Sequence, residues 1–382
     1  MTFALPAGDV IDLIATPADP TIAHDIRQHR PKIAASIQAT FDALFVDARG
    51  PFDLRLRLLS AARVATLSDE PALARFYVDQ LERLAERLAE RLAPGHDETD
   101  TARLEQAVLA HVDRVTSTPH ACDRAALAAL QSAGLHDADI VTLSQLIGYV
   151  AFQARVVLAV RALAGTARDT PAVTTRTAEP VRHTGFTAKT LEWHAWLTPV
   201  DLAAASAEQL TVLDESGPTA RRSPYYLTLV HEPVVLRERS ATYNAIMYAP
   251  GGLSRGEREL AALEVSTLNG CPYCASVHAQ RLIQLTKDAA LVDRVFADPY
   301  ADGANARETA LLHYARRLTL DTSTFSTSDV EALRAVGLGD GEILDFSHVS
   351  AIFAWANRLM QTLGEPALPA GDDDADRGAG HG

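Results

Sequence analysis

Hydrophobic positions recur at helical spacing along almost the whole chain. "FYVDQLERLAERLAERLA" (76–93) places Leu81, Leu84, Leu88 and Leu92 on one stripe with the charges outside it, a 3.6-residue period. "SRGERELAALEVSTL" opens on Ser254 with Glu257 three residues later, the capping-box signature of a helix start. The longest uncharged run, Ile140 to Ala154, reads as a buried helix. Convincing alternating strands are absent, so the pattern predicts an all-α protein. It lapses between Ala164 and Thr184, where "AGTARDTPAVTTRTAEPVRHT" is rich in Thr, Pro and Ala and reads as a linker. It lapses again near the C-terminus, where an Asp cluster and glycines predict a disordered tail. The expected organisation is a helical unit over 1–164, a linker over 165–184, a second helical unit over 185–366 and an acidic tail over 367–382.

The two units resemble each other. A shift of 201 residues sets "RVATLSDEPALARFY" (63–77) over "EVSTLNGCPYCASVH" (264–278), and Val64/Val265, Thr66/Thr267, Leu67/Leu268, Pro71/Pro272 and Ala74/Ala275 coincide. A shift of 203 pairs "AGLHDADIVTL" (133–143) with "VGLGDGEILDF" (336–346), and Arg155 with Arg358. Two collinear blocks point to a duplicated domain with a small insertion between them. The differences carry information. Glu70, Leu73 and Tyr77 stand where the second half has Cys271, Cys274 and His278. The first half is therefore expected to be catalytically silent.

Length and charge narrow the class. A chain of 382 residues suits two domains of roughly 150–200 residues each. A net charge of −14 repels phosphate backbones, so nucleic acid is not an expected partner. No stretch approaches the ~18 uncharged apolar residues of a spanning helix, and "MTFALPAGDVIDLIA" has no basic stretch before its apolar residues. The expectation is a cytoplasmic protein without a membrane partner. Three cysteines, two of them close together, are not a disulfide framework; in a reducing compartment such a pair points to redox chemistry or metal.

That pair lies in "NGCPYCASVHAQ" (269–280). Asn269 or Gly270 can end one helix, and Pro272 suits the first turn of the next. At ~100° per residue, Cys271, Cys274 and His278 fall within roughly 60° of arc and share a face. Thiols at i and i+3 can close a disulfide, and the imidazole lies one turn beyond Cys274. A thiol in the first turn also feels the helix N-terminus, which on its own favours Cys271 as the more acidic one. On the preceding helix Glu259 shares a stripe with Ala262, Leu263 and Ser266. Facing the cysteine helix, it would be desolvated, with a raised pKa suited to proton relay.

Glu-x11-Cys-x-x-Cys-x3-His resembles the signature of the alkylhydroperoxidase D (carboxymuconolactone decarboxylase-like) family. Glu259, Cys271, Cys274 and His278 match it, and Tyr273 matches the tyrosine often found inside the pair. "EWHAWLTPVDLAAASAEQ" and "SPYYLTLVHEPVVLRERSATYNAIMY" are similar to the lead-in helices of its peroxidase-related branch, and "AIFAWANRL" to its closing helix. The likeness runs from Phe186 to about Gly364. The first half, roughly Asp9 to Ala164, resembles the same domain in degenerate form. The resemblance implies tandem all-helical units and a cofactor-free thiol peroxidase acting on organic hydroperoxides. It implies Cys274 as the attacking thiol, Cys271 as the resolving one and Glu259 with His278 as relay. A lipoyl- or thioredoxin-like dithiol reductant, and a homo-oligomer with a trimer favoured, follow from the same likeness.

Other readings of the motif stay open. Cys271, Cys274 and His278 would suit zinc, although no second Cys or His pair stands at a suitable spacing. Thioredoxin-like chemistry would need a strand where "ERELAALEVSTL" reads as helix. A muconolactone-type decarboxylase would not require the dithiol, and a redox-sensing oligomerisation scaffold would not turn over. Tyr273, His231, Asn244 and His348 are candidates to line the pocket. Cys122, Trp193, Trp196, Tyr225 and Tyr226 read as core or interface residues.

Overall fold

The computed structural model describes residues 8–46, 48, 50–89, 98–166 and 181–369. Most of the expected linker and of the expected tail lie outside the described residues. The first half runs α1 (Val10–Ala15), α2 (Pro20–Arg27), α3 (Pro31–Phe45), α4 (Leu54–Leu67), α5 (Pro71–Ala89), α6 (Glu98–Ser117), α7 (Arg124–Ser132) and α8 (Asp137–Leu163). The second half opens with a strand, β1 (Glu192–Ala195), then α9 (Ala207–Ser216), α10 (Pro224–Leu229), α11 (Pro233–Tyr248) and α12 (Arg255–Leu268). It continues through α13 (Pro272–Thr286), α14 (Ala289–Ala297), α15 (Ala306–Leu320), α16 (Thr327–Ala335) and α17 (Asp340–Thr362), and ends at β2 (Gly364–Ala367).

The fold is all-α and duplicated, as the two aligned blocks predict. Helices α3 to α8 recur as α11, α12, α13, α15, α16 and α17, and the local punctuation recurs with them. Asp53 caps α4 where Ser254 caps α12. Asp69, at φ +56°, stands where Gly270 takes φ +66°. α14 is packed against α12 and α13 through Leu291, Val292 and Val295.

The two halves are joined along α8 and α17. Gly148 is required there: a Cβ at that position would overlap the Trp355 ring. The Trp355 Nε1–H donates to Gln145 Oε1 (2.9 Å), and the ring packs edge-on to Tyr149 (5.5 Å). Reciprocal hydrogen bonds then cross the junction. Arg155 donates to the Thr319 carbonyl (2.9 Å) and Arg358 donates to the Thr116 carbonyl (2.7 Å). Each guanidinium closes the C-terminal end of a helix in the other half, where free carbonyls favour a cation. One continuous hydrophobic core draws on both halves. By length and composition α8 could cross a bilayer, but 94% of its most apolar window is buried inside the protein.

One departure from the sequence reading is the ribbon. "EWHA" pairs antiparallel with "GEPA", Glu192 opposite Ala367, instead of starting a lead-in helix. Its cause is tertiary. Trp193 is 4% exposed, donates from Nε1 to the Met360 carbonyl (2.9 Å) and lies where a Cβ on Gly364 would be.

Candidate active site

The site is assembled where α12 turns into α13. Ser254 caps α12, accepting from the Glu257 N–H (3.2 Å), while Glu257 accepts from the Ser254 N–H (3.1 Å). Glu259 follows one turn into the helix and is fully buried. At the other end Asn269 is the C-cap, Gly270 supplies the left-handed turn and Pro272 starts α13. A side chain on Gly270 would also collide with His183. α17 holds this turn in place. Gln361 donates to the carbonyls of Asn269 (3.0 Å) and Gly270 (2.6 Å), and Asn357 bridges Asn269 and Ser266.

Cys271 is the N-cap of α13, with extended backbone (φ −105°, ψ 92°) and no side-chain capping bond. In the first half Glu70 occupies this place and its carboxylate accepts from the Ala72 N–H (3.2 Å). The counterparts of Cys274 and His278 also differ in their contacts: Leu73 is buried apolar packing, and Tyr77 donates to Gln153 (2.6 Å). At these positions the second half thus lacks the carboxylate cap and the tyrosine hydrogen bond of the first.

Both thiols are unbonded and buried, Cys271 1% and Cys274 6% exposed. Burial pushes the Cys271 thiol well above its ordinary value, and the Cys274 thiol pushes the same way; the Cys274 backbone and Asn357 oppose them. Burial thus opposes the helix-dipole effect expected at Cys271. A partial charge at a helix end is worth too little to offset complete desolvation.

Glu259 and His278 meet across the two helices, Oε2 to Nδ1 at 2.6 Å. The other carboxylate oxygen accepts from Arg255 Nε (2.7 Å). Burial alone would raise the Glu259 carboxyl, but the hydrogen bond and charge of His278 and the Arg255 guanidinium outweigh it. The carboxyl is held below its ordinary value, the opposite of the sequence expectation. An ionised Glu259 accepts only, so His278 carries its proton on Nδ1 and leaves Nε2 as the basic atom. The imidazole is 6% exposed and stands edge-on to Phe353 at 4.6 Å.

Not every residue proposed from the sequence joins this group. Tyr273 is half-buried, and burial followed by the two thiols raises its hydroxyl. His231 bonds the Thr198 carbonyl (2.8 Å) before α11, and Asn244 is exposed on α11. His348 lies in α17 near Asp345, with both ring nitrogens buried and unpartnered. Cys122 is half-buried and burial pushes its thiol up to about 11. The sequence reading did not single out Arg255, Asn357, Gln361 or Arg239. Arg255 was detectable in principle, four residues before Glu259 on a helix. Among the described residues, no three His, Cys, Asp or Glu side chains form a metal-holding group.

Residues 233–317, from the start of α11 into α15, match the carboxymuconolactone decarboxylase family. The alkylhydroperoxidase AhpD core of an uncharacterized peroxidase-related protein from Ralstonia eutropha JMP134 is 28% identical. That match covers 42% of this chain and 86% of the other, at a TM-score of 0.38. An uncharacterized peroxidase-related protein from Silicibacter sp. TM1040 is 25% identical, covering 44% of this chain and 92% of its own, at a TM-score of 0.36. No curated protein matches the chain.

Proposed function

We propose, from the match of residues 233–317 to the carboxymuconolactone decarboxylase family, that the chain is a thiol-dependent peroxidase reducing organic hydroperoxides. The observation that supports the reading most is the Glu259–His278 hydrogen bond of 2.6 Å, one helical turn from Cys274 on a helix that Cys271 caps. His278 Nε2 takes the Cys274 proton, directly or through water. The thiolate attacks the terminal peroxide oxygen; the S–O bond forms, the O–O bond breaks, and the alkoxide leaves as alcohol with the proton returned from His278. The Cys271 thiol then attacks the sulfenic acid, closing the disulfide and releasing water. A dithiol reductant of lipoyl or thioredoxin type restores both thiols. A cytoplasmic setting and a homo-oligomeric assembly, with a trimer favoured, belong to the same proposal.

Glu259 supplies the negative charge that stabilises the imidazolium formed in the first step. Arg255 keeps that carboxylate ionised and fixed. The high pKa of Cys271 suits a resolving thiol, which stays protonated until the sulfenic acid is in place.

The test is turnover of cumene hydroperoxide with dithiothreitol, followed by mass mapping of the oxidised protein. Activity should fall to background in Cys274→Ser, and wild type should show a Cys271–Cys274 disulfide. Stoichiometric oxidation without turnover, under any dithiol, would replace the enzyme with a redox sensor.

A further inference from the structure

Seven arginines are buried among the described residues: Arg27, Arg57, Arg155, Arg239, Arg258, Arg316 and Arg358. Six have ordinary partners. Arg27 pairs with Asp9 and Asp12, Arg258 with Asp345, and Arg316 with Glu264. Arg57, Arg155 and Arg358 donate to backbone carbonyls. Arg239 has neither a carboxylate nor a carbonyl among the described residues. It is 4% exposed on α11, and its Nε has no hydrogen-bond partner.

Aromatic residues surround it instead. The guanidinium carbon lies 5.5 Å from the Tyr225 ring centroid and 5.1 Å from that of Tyr243, and the guanidinium hydrogen-bonds the Tyr226 hydroxyl. The Tyr225 hydroxyl is buried and also unpartnered. Cation–π contacts and a phenol hydrogen bond hold the guanidinium, and no carboxylate faces it among the described residues. Arg239 Nε and the Tyr225 hydroxyl are nevertheless left without hydrogen-bond partners.

This cluster borders the thiols. Both cysteines act electrostatically on Tyr225, and Trp193 packs edge-on to it at 5.5 Å. Tyr243 packs against Phe353 (6.2 Å), the ring that also supports His278.

We propose that Arg239, with the Tyr225 and Tyr226 hydroxyls, receives a carboxylate carried on an apolar or aromatic body, making carboxylate-bearing hydroperoxides the preferred substrates. The anion site stands on the geometry of Arg239 and Tyr225; the hydroperoxide part rests on the peroxidase reading above. The carboxylate would supply the missing counter-ion, and Trp193, Tyr243 and Phe353 would flank the apolar body.

An isosteric pair tests this: cumene hydroperoxide and its para-carboxylate, compared by kcat/KM on the intact protein with dithiothreitol. Wild type should favour the carboxylate by about tenfold or more, the worth of one charge-assisted hydrogen bond. The ratio should fall to about one in Arg239→Gln and partway in Tyr225→Phe. Equal kcat/KM values in wild type overturn the proposal. So does an unchanged ratio in Arg239→Gln, or an equal loss for both substrates, which would assign Arg239 to thiolate support. Should Arg239→Gln not fold, Tyr225→Phe decides: a lowered ratio supports the site and a wild-type ratio overturns it. Should neither hydroperoxide turn over, the peroxidase reading fails by itself, and calorimetric titration with 4-isopropylbenzoate decides the anion site. Binding that Tyr225→Phe weakens supports it; no binding to wild type ends it.

Discussion

At Glu259 two effects oppose each other, and the sign of the result sets its role. Burial favours the neutral acid, while His278 and Arg255 favour the carboxylate and prevail. The stability this contributes is complete above the ordinary carboxyl range near pH 4.5 and is lost only as pH falls through the lower folded value. Glu259 therefore stays charged across neutral pH. Glu259→Gln should cut kcat/KM for hydroperoxide by about a hundredfold or more, since His278 loses the charge that fixes its tautomer and stabilises its cation. A variant within twofold of wild type would remove Glu259 from the relay. The residues of the motif were legible because their spacing on two helices places them by itself. Arg239 was not: "LRERS" reads as a solvated run, yet Arg237 pairs with Glu215 at 2.8 Å near the surface while Arg239 turns inward. Only the packing against Tyr225 and Tyr226 of α10 separates the two.

Among the elements, α5 and α13 show what the chemistry displaced. α5 begins with a carboxylate accepting a backbone N–H; α13 begins with a thiol, a much weaker acceptor. A serine suits an extended N-cap backbone and accepts from the first turn. Cys271→Ser is thus expected to raise stability by about 1 kcal/mol in urea denaturation, while abolishing the intramolecular disulfide. A stability loss would show that Cys271 packing outweighs the missing cap. The helix starts were legible because their signals are local: Ser254 with Glu257, Gly270 and Pro272. The β1–β2 ribbon was hidden because its partners are far apart in sequence, and Trp193 acquires a reason to be extended only when Gly364 lies beneath it.

Across the whole molecule, the α8–α17 seam and a set of buried neutral histidines set the response to perturbation. Gly148→Ala would force the Trp355 ring from its place and is expected to cost about 1–3 kcal/mol in the denaturation midpoint. An unchanged midpoint would mean that the seam yields freely. Burial lowers His348 to about 3 and His111 to about 4. Unfolded, both titrate near 6.5, so the unfolded chain binds protons that the folded chain refuses. Stability should therefore decline as pH falls from 6.5 towards 3, and His348→Gln should make the thermal midpoint less steep over that window. An identical slope would show that other groups control acid sensitivity.

The paired helices also carry one reversal of sign. Arg63 on α4 binds Asp113 on α6 at 2.6 Å, whereas their counterparts are Glu264 on α12 and Arg316 on α15, also at 2.6 Å. If α6 docked on α12, Asp113 would face Glu264; if α15 docked on α4, Arg316 would face Arg63. Each wrong pairing sets like charges together, one of them beside a fully buried carboxylate. The inverted pair thus works as a polarity key: it adds little to what the correct fold is worth, but it marks which half each helix belongs to.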